Sequence, residues 1–305
     1  MNTPLPNRLW IYQAERFPVI KTLPLLAMFS AASVTLSAVL GARTLPGVGA
    51  YVVAFVLVFL LFFQMRVCDE VKDAEDDRRF RPERPIPRGL IRQSEIVGLG
   101  VATIPLALAA AFLAGYGLVW LLLLVWGWLA LMTIEFGAPR WLKARPVLYL
   151  LSHMAIMPLI DLLLTGVEWL RHGAPHPGLW LFFALSFSNG CVLELGRKLW
   201  APGNEREGVE TYSSLWGPRR AASVWVGCVA MSFLLLTGVG IAVGHPIPFV
   251  TLGALGFSIC VWIGRNYAER QLPGDQSRVD TVAGLWVFLC YAIAGFVPLL
   301  FGTTP

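Results

Sequence analysis

From Tyr51 to Met65 the chain reads YVVAFVLVFLLFFQM, fifteen residues without a charge. Runs like this recur along the sequence, and they constrain the fold more than any other feature. An α-helix needs about 20 apolar residues to cross a hydrocarbon core about 30 Å thick. Lipid offers backbone amides no hydrogen-bond partner, so each crossing segment must satisfy its own. Nine stretches qualify: 19–41, 48–66, 94–115, 117–136, 147–168, 177–196, 220–243, 246–264 and 282–302. The 305 residues are 56% hydrophobic and only 14% charged, whereas soluble domains carry about 25% charged residues. The expected fold is all-α: a polytopic membrane protein of about nine transmembrane helices, forming one domain over residues 1–305.

The basic residues orient these spans. Twenty-two of the 24 Lys and Arg fall in the N-terminal segment and in the loops near 66–93, 137–146, 197–220 and 265–281. The other side has only Arg43 and Arg171. Positive charge is retained on the cytoplasmic side, so the N-terminus is expected there and the C-terminus on the opposite side. The net charge of +5 is thus explained by a lipid bilayer, with no call for nucleic acid. The five cysteines include no CxxC, and four lie in apolar runs, where cysteine acts as a small hydrophobe. No disulfide framework or zinc site is expected. No cleavable signal pattern is expected at the N-terminus.

Directly after the second run comes the densest charge cluster. RVCDEVKDAEDDRRFRPERPIPRG, residues 66–89, holds seven acids and seven bases. Asp69, Asp73 and Asp77 are spaced four apart, which puts them on one face of a helix. Their mutual repulsion is relieved by a bound cation, and hard oxygen ligands suit Mg²⁺, which is usually shared with substrate phosphates. The bases nearby, among them Lys72, Arg81 and Arg84, can hold those phosphates. The plainer alternative is a solvated loop with compensating charges, which leaves the Asp spacing and the RPIPRG that follows unexplained.

DEVKDAEDDRRFRPERPIPRG resembles the first signature of the UbiA family of intramembrane prenyltransferases, Asn/Asp-x-x-x-Asp-x-x-x-Asp followed by Arg-Pro-Ile/Val-x-x-Gly. Here it reads Asp69, Asp73, Asp77, then Arg84-Pro85-Ile86-Pro87-Arg88-Gly89. The resemblance implies nine helices around a central, cytoplasm-facing cavity with Asp-rich loops. It implies a Mg²⁺-dependent transfer of an isoprenoid chain from a prenyl diphosphate to a lipid-soluble acceptor, aromatic or quinone-type, inside the membrane. Mg²⁺ and basic residues would neutralise the departing diphosphate.

The family's second signature, Asp-x-x-x-Asp followed by Gly and Thr, is altered. LELGRKLWAPGNEREGVETYSSLWG, residues 193–217, keeps Gly208, Thr211 and Gly217. Its acidic part fits Glu194 and Lys198, with a Lys in place of the second acid, or a register at Asn204 that lacks the earlier acid. On the first register Lys198 would touch the diphosphate in place of a second metal, and the family's two-metal picture is in question. A simple helix pair between Glu194 and Arg197 or Lys198 is the alternative. The family's Tyr-x-x-x-Lys feature is matched by Phe136 and Arg140, without the hydroxyl.

Asp161 is the only Asp within the expected spans, and an ionisable group there is a functional candidate. It would bind acceptor, take a proton or steady a carbocation, unless it makes a structural hydrogen bond to His153, Ser186, Ser188 or Asn189. The expected catalytic set is Asp69, Asp73, Asp77 and Asp161. The expected diphosphate ligands are Lys72, Arg84, Arg140, Arg197 and Lys198, and the expected metal ligands Asp69, Asp73, Asp77 and Glu194. A terpene cyclase on the same scaffold and a non-catalytic lipid-binding or transport protein are the rival readings.

Overall fold

The computed structural model describes residues 4–301, and the last residue of the ninth expected stretch, 302, lies outside them. The long helices are α2 (Val19–Leu40), α3 (Val48–Lys72), α5 (Gln93–Ala114), α6 (Tyr116–Thr133), α10 (Leu179–Arg197), α12 (Pro218–Ala242), α13 (Pro246–Arg270) and α14 (Pro273–Phe301). The fifth expected span is two helices, α8 (Pro146–Met154) and α9 (Ile156–Trp169). Pro158 sits in the first turn of α9. It has no N–H for the carbonyl four residues back and its ring clashes there, so the helix breaks at Ala155. With α8 and α9 taken as one span, nine among the described residues are long and apolar enough to cross a membrane.

Each span packs on the next in sequence, and α14 returns to pack on α2, closing a ring. Gly295 makes the closure possible: a Cβ there would lie 2.5 Å from the Ala32 Cα. Small residues bring membrane helices this close. Helix α9 leans inward and touches α2, α3, α6 and α10. Buried polar side chains tie the spans together. Gln64 donates to Thr103 (2.9 Å) and accepts from Trp126 (2.8 Å), joining α3, α5 and α6. Ser232 donates to Asn189 and accepts from Trp286 at 3.0 Å, joining α12, α10 and α14.

The short helices α1 (Leu5–Arg16), α4 (Ala74–Phe80), α7 (Pro139–Lys143) and α11 (Tyr212–Trp216) belong to the segments rich in Lys and Arg. Helix α1 is strapped by charge onto the Asp-rich segment and the start of α5. Arg16 meets Glu70 at 2.7 Å, Glu15 meets Arg88 at 2.7 Å and Arg8 meets Glu95 at 3.0 Å.

Candidate active site

Helices α3 and α4 form one nearly continuous rod. The amide of Asp73 still bonds the Asp69 carbonyl (2.9 Å), and that of Asp77 bonds the Asp73 carbonyl (2.8 Å). The rod is unwound at Asp73, whose ψ is 7° where an α-helix has about −42°. That twist changes which acids face inward. Asp73 and Asp76 line a cavity of about 360 Å³, together with Arg81, Lys143, Tyr149, Lys198, Thr211 and Tyr212.

The expected site residues divide. Asp73 lies in the cavity and makes no ion pair within 4 Å among the described residues. Burial, then the charges of Asp69 and Asp77, outweigh the pull of Lys72 and raise its carboxyl above the usual range. Asp69, half exposed, pairs with Arg66 at 3.1 Å and stands 4.0 Å from Lys72. Asp77 turns away from the cavity into a clasp of arginines: Arg84 at 2.7 Å, Arg81 at 2.9 Å and Arg16 at 3.8 Å. Burial pushes its carboxyl up, but hydrogen bonds from Arg84 and Arg81 outweigh this and hold it below the usual range. Asp76, one residue earlier, takes the inward place and faces Lys143 at 3.6 Å. Arg84 is committed to the clasp, whereas Arg81 pairs with Asp77 and also lines the cavity.

Lys72 donates to the Tyr149 hydroxyl at 2.8 Å and reaches the cavity through it. The hydroxyl absent at Phe136 is therefore supplied to this cavity by Tyr149, at the start of the fifth span. Arg140 is exposed and outside the cavity wall, whereas Lys143 from the same loop lies on it and also faces Glu135 at 3.8 Å. A 3-10 turn at Glu135–Gly137, with Phe136 at φ 53°, re-aims the chain before α7.

On the opposite wall Lys198 lines the cavity, 3.0 Å from Glu194 and 5.8 Å from the Tyr212 ring centre. Arg197 pairs with the other Glu194 oxygen and points outward, 58% exposed. The loop after Lys198 is pinned through Glu205, which accepts from Thr211 (2.7 Å) and Ser213 (2.7 Å). Gly208 packs on Phe80 of α4 at φ +73°, and a Cβ there would lie 2.2 Å from the ring. Arg206 meets Glu83 at 2.6 Å. These contacts hold the two charged loops against each other over the cavity.

Asp161 stands apart, fully buried and absent from the cavity wall. It accepts from Ser33 (2.5 Å) and from Tyr291 (2.7 Å), whose hydroxyl also meets Ser186. Four helices, α2, α9, α10 and α14, meet at this one carboxyl.

Among the described residues no three His, Cys, Asp or Glu gather closely enough to hold a metal alone. Asp73, Asp76 and Glu210 share the cavity lining with Arg81, Lys143 and Lys198, a mixture that fits a Mg²⁺ shared with a ligand's phosphates rather than caged by protein.

The fold and site are those of a multi-pass membrane protein with a charged cavity at one end of its helix ring. The sequence matches the UbiA prenyltransferase family model over residues 26–289. The chain belongs to that family and is a membrane prenyltransferase. No curated protein matches it by sequence. Among solved structures it is similar to the apo form of a UbiA homologue from Aeropyrum pernix K1 (TM-score 0.69, 15% identity, 90% of this chain and 98% of that one). It is also similar to a structure concerning digeranylgeranylglyceryl phosphate synthase in membranes (TM-score 0.62, 15% identity, 95% and 99%).

Proposed function

We propose that the cavity between the two charged loops binds the diphosphate of a prenyl donor, with Mg²⁺, at the cytoplasmic face. The observation that carries this is the gathering of opposite charges in one cavity: Asp73 and Asp76 with Arg81, Lys143 and Lys198. Asp73 and Asp76 would hold the ion, with Asp69 one turn away. When bound, Mg²⁺ supplies positive charge to the diphosphate oxygens. Arg81, Lys143 and Lys198 bind the remaining oxygens, and the Tyr149 hydroxyl, held by Lys72, donates to one of them. These groups stabilise the charge that develops as the allylic C–O bond breaks and its electron pair leaves with diphosphate. The acceptor then forms a bond to the freed carbon and gives up a proton. Apolar spans beneath the cavity hold the prenyl tail, and the acceptor is lipid-soluble, aromatic or quinone-type, entering from the bilayer.

The test is pyrophosphate release from purified protein given geranyl, farnesyl and geranylgeranyl diphosphates with membrane lipid extract. Release should need Mg²⁺, stop with EDTA and fall at least a hundredfold in Asp73→Asn, since an ionic partner of the phosphates' cation is lost. Release that persists in Asp73→Asn with EDTA would refute the assignment. Mass spectrometry of the product separates transfer from cyclisation of the donor.

A further inference from the structure

The second charged loop departs from a metal site in a way that the cavity explains. Both Glu194 oxygens are taken, Oε1 by Lys198 at 3.0 Å and Oε2 by Arg197. The position one turn on, where a second carboxylate would complete a metal site, is Lys198 itself, and its side chain forms part of the cavity wall. Its backbone is anchored: the Lys198 carbonyl accepts from the Tyr212 amide at 3.1 Å, and Ser213 holds the amide of Trp200 at 2.7 Å. The ammonium is therefore positioned from three sides, by Glu194, by the face of Tyr212 and by its own pinned backbone.

A divalent ion on this wall would meet the fixed Lys198 ammonium and a Glu194 carboxylate already neutralised twice, and like charges repel strongly at close range. Glu210 is the one further acid that this loop adds to the cavity lining, too few to hold an ion beside that ammonium. A diphosphate would meet a ready donor.

We propose that Lys198 replaces a metal ion on this wall: its ammonium binds the diphosphate directly, Glu194 positions it, and the donor-bound protein holds one divalent ion instead of two. The inference rests on the diphosphate-binding reading above. Glu194 is then a positioning residue and not a metal ligand.

The test counts ions without needing turnover. Protein in lipid nanodiscs is saturated with geranylgeranyl thiolodiphosphate, whose C–S bond resists ionisation, and titrated with Mn²⁺. Bound Mn²⁺ is counted by electron paramagnetic resonance, and analogue retention is measured separately with a radiolabel. One Mn²⁺ per analogue-bound chain is expected. Two would overturn the inference and leave the diphosphate reading standing, whereas an analogue that does not bind at any Mn²⁺ concentration would overturn both. Lys198→Met should weaken analogue binding by at least about tenfold, as loss of a charge-assisted hydrogen bond does, with the Mn²⁺ count still one. Lys198→Arg should bind within a few-fold of wild type. Unchanged affinity in Lys198→Met would also overturn it. The wild-type count stands whether or not the variants fold.

Discussion

At the scale of single residues, identity and placement separate. The i, i+4, i+8 spacing of Asp69, Asp73 and Asp77 marks the segment from sequence alone. It does not say which acids face the cavity, because an ideal helix is assumed and the backbone unwinds at Asp73. Asp76 gains the inward place and Asp77 goes to the arginines. Lys143 and Tyr149 belong to the cavity through folding of the loop and of α8, and nothing local in sequence distinguishes them from Arg140 and other polar neighbours. Asp161 illustrates the reverse case. Its lone position in an apolar span is conspicuous, yet each carboxyl oxygen already has a structural partner, Ser33 on one and Tyr291 on the other. Asp161→Asn puts an amide donor against one of two hydroxyls and should destabilise the fold by about 1–3 kcal/mol, the cost of a buried unsatisfied group. Denaturation in detergent micelles would read that loss, while pyrophosphate release per folded molecule should stay within about twofold. A large drop in release with unchanged stability would instead give Asp161 a part in the chemistry.

At the scale of elements, the membrane spans were legible because lipid imposes length and hydrophobicity together. The break at Ala155 follows from Pro158. What sequence hid was the continuation of α13 past its apolar run to Arg270, where charges mask a helix that hydropathy alone ends early, whereas the Asp spacing had already extended a helix beyond the second run. The short α7 and α11 are likewise too brief for periodicity to show, and the spacing that marks α4 does not show how it docks. Their docking is what assembles the site, and Gly208 is its most exacting point. A side chain there must adopt φ +73° and enter the ring of Phe80, costs that only glycine escapes. Gly208→Ala should push the second loop off α4, carry Lys198 and Thr211 away from Asp73, and cut pyrophosphate release at least tenfold. Because the ring of helices lies outside this contact, thermal unfolding should shift little. Release close to wild type would show that the loops bind substrate independently.

At the scale of the whole molecule, the closed ring places every charged loop of the site at one end, and that end is where the basic residues gather. Tyr149, Lys198 and Asp73 come from the corresponding ends of α8, α10 and α3, so alternation of the spans and convergence of the site are one fact seen twice. An error of one span would have put Lys198 and Asp73 on opposite sides of the bilayer. The orientation proposed from charge can be tested directly. Ala174 is exposed in the loop before α10, and Ser277 is exposed at the start of α14. The five native cysteines are buried or half-buried, so a cysteine added at either place reports on its own. In right-side-out vesicles a membrane-impermeant maleimide should label Ala174→Cys at once, and Ser277→Cys only after permeabilisation. The positive-inside bias of twenty-two bases against two demands this result. The reverse pattern would put the cavity on the outer face, where donors made in the cytoplasm would have to cross the bilayer before reaching Asp73.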